Sequence, residues 1–141
     1  MTVDFPPTTE ELLETFDDLP DWDERYDFLI DLGRELPKLD EKYCLPENKV
    51  DGCLSTVWLV TQNENGHMQI LADSDSIIVK GLIVVLLSLY HDRDPTAVIE
   101  TDPQEFFKKL GLEQHLSHGR RNGLYSMVER IRQLAVEAIA G

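Results

Sequence analysis

The chain has 141 residues, enough for one compact domain that buries a core without a disulfide or metal to hold it. It carries 27 acidic against 13 basic residues, a net charge of −14, and the acid is concentrated in the first forty residues. Phosphate backbones and anionic membrane surfaces are repelled by such a charge, so neither nucleic acid nor membrane is an expected partner. The acidic stretch reads first as a solvated helix face and second as a dock for a basic partner surface.

The opening stretch MTVDFPPTTE is acidic and lacks an apolar core segment, so no secretory signal is expected. Together with only two cysteines, Cys44 and Cys53, this places the protein in a reducing cytoplasm with free thiols. Residues 1–7 are expected to be flexible, and a single domain takes in the whole chain, 1–141.

In chain order, Thr8 and Glu11 form a capping box, followed by Leu12, Leu13, Phe16 and Leu19 at helical spacing. Pro20 ends that helix, and Asp21 with Glu24 caps a second, whose apolar face is Trp22, Tyr26, Leu29, Ile30, Gly33 and Leu36. From Pro37 to Gly52 the periodicity is lost, which predicts a loop with a short strand at Lys49–Val50. Leu54–Gln62 is β-branched and aromatic, and His67–Asp73 alternates. With Asn65-Gly66 between them they predict an antiparallel hairpin.

Asp73 to Ser76 offer N-caps for the helix Ile77–Tyr90, which is apolar on nearly every side and is expected at the centre of the fold. That run is too short for a bilayer, which takes about 20 apolar residues. Asp94-Pro95 and Asp102-Pro103 each start a short helix, and Gly111 stops the second. A last helix is expected from about Arg121 to Ala138, burying Leu124, Met127, Val128, Ile131, Leu134 and Ala135. The order predicts an α+β fold: a small antiparallel sheet covered by helices.

Cys53 follows Gly52 at the turn that feeds the first strand. A thiol there can be presented to a partner, or it can pack as a small hydrophobe. Asp51 opposes its ionisation and Lys49 favours it. Cys44 is separated from Cys53 by eight residues, which matches neither a zinc pair nor a thioredoxin-like pair, even with His115 and His118 added as ligands. A Cys44–Cys53 disulfide is left open. No histidine is tied to Cys53 by spacing, which argues against a cysteine hydrolase. His67 and His91 read as solvated loop residues. Arg120 and Arg121 stand where a helix N-terminus disfavours positive charge, which points to an ion pair, a partner contact or plain surface charge.

Four stretches in order, RYDFLIDLGRELP, NKVDGCLSTVW, DSDSIIVKGLI and QHLSHGRRNGL, resemble the SufE family of sulfur acceptors that work with cysteine desulfurases in iron–sulfur cluster assembly. The most specific is V-x-G-C-x-S-x-V-W, Val50 to Trp58. The resemblance implies that Cys53 takes a sulfane sulfur from the desulfurase and holds it as a persulfide. Gly52, Asp51 and Ser55 would support and hinge its loop, and Asp75 and Arg120 would face the partner. It implies a fold similar to the family's cluster scaffold proteins. It also implies no cofactor in this chain, with pyridoxal phosphate on the desulfurase. A cluster scaffold would be the downstream partner, and a homodimer is left open. Leu54 and Trp58 are candidate walls for a sheltered persulfide. The alternative is an adaptor that activates the desulfurase without carrying sulfur. Asp51 stands where the family often has an uncharged polar residue, and His118 where proline is common.

Overall fold

A computed structural model describes residues 5–141. Within them, helices α1 (Thr9–Asp18) and α2 (Trp22–Glu35) lead through two 3-10 turns into strands β1 (Val57–Glu64) and β2 (His67–Ser74). Helices α3 (Ile77–Tyr90), α4 (Pro95–Glu100), α5 (Gln104–Leu110), α6 (Leu112–His115) and α7 (His118–Ala140) follow. The fold is α+β, as the element order predicts.

Local chemistry sets most boundaries. Thr8 and Glu11 make the capping box at α1 in both directions, and Asp21 accepts the Glu24 N–H at the start of α2. The hairpin pairs Val57 with Ser74 through Glu64 with His67, closing at Asn65 (φ 54°) and Gly66 (φ 83°), a turn that needs left-handed backbone at both positions. One face of this ribbon turns Val57, Leu59, Met68, Ile70 and Ala72 into the core. Helix α3 lies against it, with every residue buried except Ile77 and Lys80. A helix apolar all round has to be covered on all sides, and α1, α2, the sheet and α7 do this.

Helices α2 and α3 meet backbone to backbone. A Cβ on Gly33 would lie 2.5 Å from the Ile77 carbonyl oxygen, and one on Gly81 would run into the carbonyl oxygen of Leu29. These two glycines set how closely the helices approach.

Several sequence expectations are corrected. The first strand begins at Val57, not Leu54, because the Thr56 N–H goes to the Asp75 side-chain carboxylate instead of a backbone carbonyl of the facing strand, which ends the ladder there. Lys49–Val50 is not a strand but one isolated bridge, Lys49 to Trp58, with the Val50 N–H on the Val57 carbonyl at 2.9 Å. No side chain from Asp73 to Ser76 caps α3. Asp73 instead accepts the Leu39 N–H at 3.2 Å and pairs with Lys80 at 3.5 Å. Helix α7 starts at His118, capped by Ser117, whose hydroxyl accepts the Arg120 N–H. His91 is half-buried, and its Nδ1 accepts the Ile70 N–H at 3.0 Å. Burial lowers its pKa, against the raising influence of Asp92. Of residues 1–7, the first four lie outside the described residues; Phe5, Pro6 and Pro7 line a cleft with Leu87 and His91.

Candidate functional site

The loop that carries Cys53 leaves the Val50–Val57 pairing and returns at Thr56. Gly52 sits in left-handed backbone, φ 89°, where a side chain is strained, and its missing Cβ would stand 2.5 Å from the Ser126 hydroxyl of α7. This geometry turns the chain inward at Cys53. The Cys53 thiol is half-buried and donates to the Gly123 carbonyl at 3.6 Å. Gly123 makes room for it: a Cβ there would touch Sγ at 3.5 Å. Beside the thiol lies a cavity of about 20 Å³ walled by Val79 and Leu82 of α3 and Leu124 and Met127 of α7, with Leu54, Ser55 and Arg120 at its edge.

Burial raises the Cys53 pKa above the ordinary thiol value, and the Asp51 carboxylate, exposed beside it, raises it further. Both causes disfavour the thiolate, so the resting side chain is a neutral thiol at pH 7. The opposing pull expected from Lys49 is not among the causes.

The residues singled out in the sequence gather to different degrees. Gly52, Asp51 and Ser55 belong to the loop itself. Asp75 accepts the Thr56 N–H at 3.2 Å and returns its own N–H to the Thr56 carbonyl at 3.3 Å, which fixes the loop's C-terminal end. Arg120 lines the cavity edge, exposed, and its guanidinium has no hydrogen-bond or ion-pair partner among the described residues. Arg121 is occupied elsewhere: its Nη1 donates to the Glu113 carbonyl at 2.7 Å, and its Nη2 lies 3.1 Å from Nδ1 of His118.

Of the two expected walls, Leu54 does line the cavity, at its edge and 87% exposed, whereas Trp58 does not line it. The strand alternation that would have aligned them starts only at Val57. The rest of the lining comes mainly from α3 and α7. Gly119 and Gly123, four residues apart on one face of α7, are the sequence signal for that smooth surface.

Cys44 lies elsewhere, at the end of a 3-10 turn, where its thiol donates to the Asp40 carbonyl at 3.9 Å. Both cysteines are free. His115 stacks on Trp22 with ring centres 4.3 Å apart. Among the described residues no group of three or more His, Cys, Asp or Glu is placed to hold a metal ion, and no helix is long and apolar enough to cross a membrane.

Fold and site together define a small α+β domain that presents one thiol from a glycine turn, half-sheltered between two helices. Residues 10–135 match the SufE family model, described as an Fe-S metabolism associated domain. The chain is also 43% identical over 135 residues to an uncharacterized SufE-like protein of Rhizobium etli, covering 93% of this chain and 91% of that one. The chain therefore belongs to the SufE family, which is associated with iron–sulfur metabolism. The solution structure of a hypothetical protein from Thermus thermophilus has a similar fold: TM-score 0.77 over 96% of this chain and 98% of that one, at 22% identity.

Proposed function

We propose that this protein is a sulfur carrier: Cys53 accepts a sulfane sulfur from the persulfide of a cysteine desulfurase, stimulates that enzyme by clearing it, and passes the sulfur to a cluster scaffold. The observation that carries the reading is the Cys53 thiol itself, held on a left-handed glycine turn against a small apolar cavity between α3 and α7. Membership of a family associated with iron–sulfur metabolism supports it.

In the transfer step the Cys53 thiolate attacks the outer sulfur of the donor persulfide. A new S–S bond forms to Cys53, the donor's S–S bond breaks, and its electron pair leaves on the donor thiolate. The proton of the outer sulfur stays with it. No oxidant or reductant is consumed. The two sulfurs have to come within about 3–3.5 Å, so the loop reaches out toward the donor. Burial is the larger cause of the raised Cys53 pKa, so leaving the cavity relieves most of that shift and makes the thiolate available where the donor waits. A thiol of ordinary or high pKa is also the stronger nucleophile once ionised.

On return, the outer sulfur finds shelter from oxidation beside Val79, Leu82, Leu124 and Met127. Arg120, unpaired at the cavity edge, and Asp75, at the foot of the loop, would face the desulfurase. Pyridoxal phosphate chemistry belongs to that enzyme, and this chain acts in the cytoplasm beside it.

The test is to incubate the protein with a cysteine desulfurase and free cysteine and weigh the peptide that contains Cys53. One added sulfur atom, removed by reductant and absent in Cys53→Ser, is the expected result. Cys44→Ser should load normally. If the desulfurase is accelerated but no sulfur appears on Cys53, the chain is an adaptor and the carrier reading fails.

A further inference from the structure

Leu54 stands out at the site. It is 87% exposed, directly beside a thiol that points inward. A scattered surface leucine needs no explanation, but this one lies at the edge of the same cavity that holds Cys53. Its Cδ1 rests over Gly119, where even one added Cβ would collide with it.

We propose that Cys53 and Leu54 exchange places: when the turn about Gly52 carries the thiol outward, Leu54 moves into the apolar berth between α3 and α7 that the thiol leaves. The inference rests on the carrier reading for its purpose, since only a carrier has to expose its thiol.

Three observations support the exchange. At rest the two neighbouring side chains already lie on opposite sides of the loop, the Cys53 thiol inward on the Gly123 carbonyl and Leu54 outward in solvent, so a rotation of the loop about Gly52 that turns Cys53 out turns Leu54 in. The walls of the berth, Val79, Leu82, Leu124 and Met127, suit leucine as well as they suit a thiol. The berth also holds unused space of about 20 Å³ beside Cys53, which adds to what the thiol vacates and supplies part of the extra room a leucine needs.

The energetics favour the same motion. A thiol that left without replacement would open a cavity, penalised in proportion to its volume. Leu54 at rest exposes apolar surface that gains by leaving water. The exchange removes both penalties at once. The inward position remains the dominant one, and the exposed leucine of the resting state lowers the cost of the outward position. Leu54 is in this sense a positioning residue, acting through Cys53 without touching the donor sulfur.

The test uses the full chain and no sulfur donor. The rate of Cys53 alkylation by iodoacetamide is followed on its peptide across pH, in the native protein, Leu54→Asn and Leu54→Met. Asparagine leaves the resting state as it is but is poorly suited to the berth. The plateau rate at high pH should therefore fall by about tenfold or more, with the pH midpoint unmoved. Methionine should restore the plateau to within about threefold of native. If Leu54→Asn alkylates at the native rate, Leu54 is idle; if faster, Leu54 is a cover over the thiol. Either result overturns the exchange, as does a change confined to the midpoint, which would mean an effect on ionisation alone. A protein that shows the expected alkylation pattern yet never loads sulfur would sink the carrier reading and leave the exchange standing.

Discussion

Glycines shape two close approaches in this molecule, and they do so differently. Between α2 and α3, Gly33 and Gly81 bring backbone onto backbone, and the atoms that would block a side chain are carbonyl oxygens of Ile77 and Leu29. Between the Cys53 loop and α7, Gly52, Gly119 and Gly123 bring backbone onto side chains: the Ser126 hydroxyl, the end of Leu54 and the Cys53 thiol. Carbonyls within a helix cannot give way without breaking its ladder, whereas side-chain ends rotate between rotamers at small cost. The first contact is built to hold one arrangement. The second is built from parts that move.

The sharpest way to break this contrast is Gly81→Ala. Its Cβ has no room against the Leu29 carbonyl, so the variant should lose about 3 kcal/mol or more and melt on the order of 10 °C lower. A melting point near native would mean that the α2–α3 contact yields as easily as the other. Next is Gly52→Val, which forces a β-branched residue into φ 89° beside Ser126. A strain of about 1–2 kcal/mol should reseat the loop and slow sulfur loading by about tenfold, with thermal unfolding shifted by only a few degrees. Unchanged loading kinetics would rule out a hinge at Gly52.

Gly123→Ala should have a smaller effect of opposite sign. Its Cβ would make an ordinary 3.5 Å contact with Sγ, while the helix gains up to about 1 kcal/mol from the replacement. A loss of stability here would show a seat as unyielding as that of Gly81. The smallest expected effect is that of Asp51→Asn. The native alkylation midpoint of Cys53 should lie above that of a free cysteine, because burial and then the Asp51 carboxylate both oppose the thiolate. Removing the carboxylate should lower the midpoint part of the way and leave the burial contribution in place. The sign for stability is the same: a raised folded pKa gives a contribution fully present below the unfolded thiol pKa and lost as pH rises through the folded one. An unmoved or raised midpoint would show that Asp51 does not act on the thiol.

What can be read from sequence is what is decided locally. The Thr8 capping box, the Asn65-Gly66 turn and the apolar helix from Ile77 to Tyr90 depend on residues a few positions apart, and each stands where expected. Cys53 is legible from its motif. What is not legible depends on distant partners. Asp73 and Asp75 look like caps because aspartate so often caps, but their oxygens are taken by Leu39 and Thr56, 34 and 19 residues away. The walls of the thiol's berth come from two helices that no local pattern brings together. The sequence puts the start of α7 three residues late because Gly119 and two arginines are poor helix-opening signals, and Ser117 supplies its cap without an acidic partner three positions on.

The pair of bonds between Thr56 and Asp75 also sets a length. With Val50 tied to Val57 at one foot and Thr56 tied to Asp75 at the other, residues 51–55 form an arch whose ends stay together. Cys53 is its keystone, three residues from the Val50 foot. Fully straightened, that limb spans about 10 Å at 3.3–3.6 Å per residue. On the proposed carrier reading, the Cys53 sulfur therefore works on a short tether. It can be delivered to a donor lying at the bottom of a shallow well and not to one at the end of a long channel, and the depth of the partner's active site below its own surface becomes a selection rule for which partners this chain can serve.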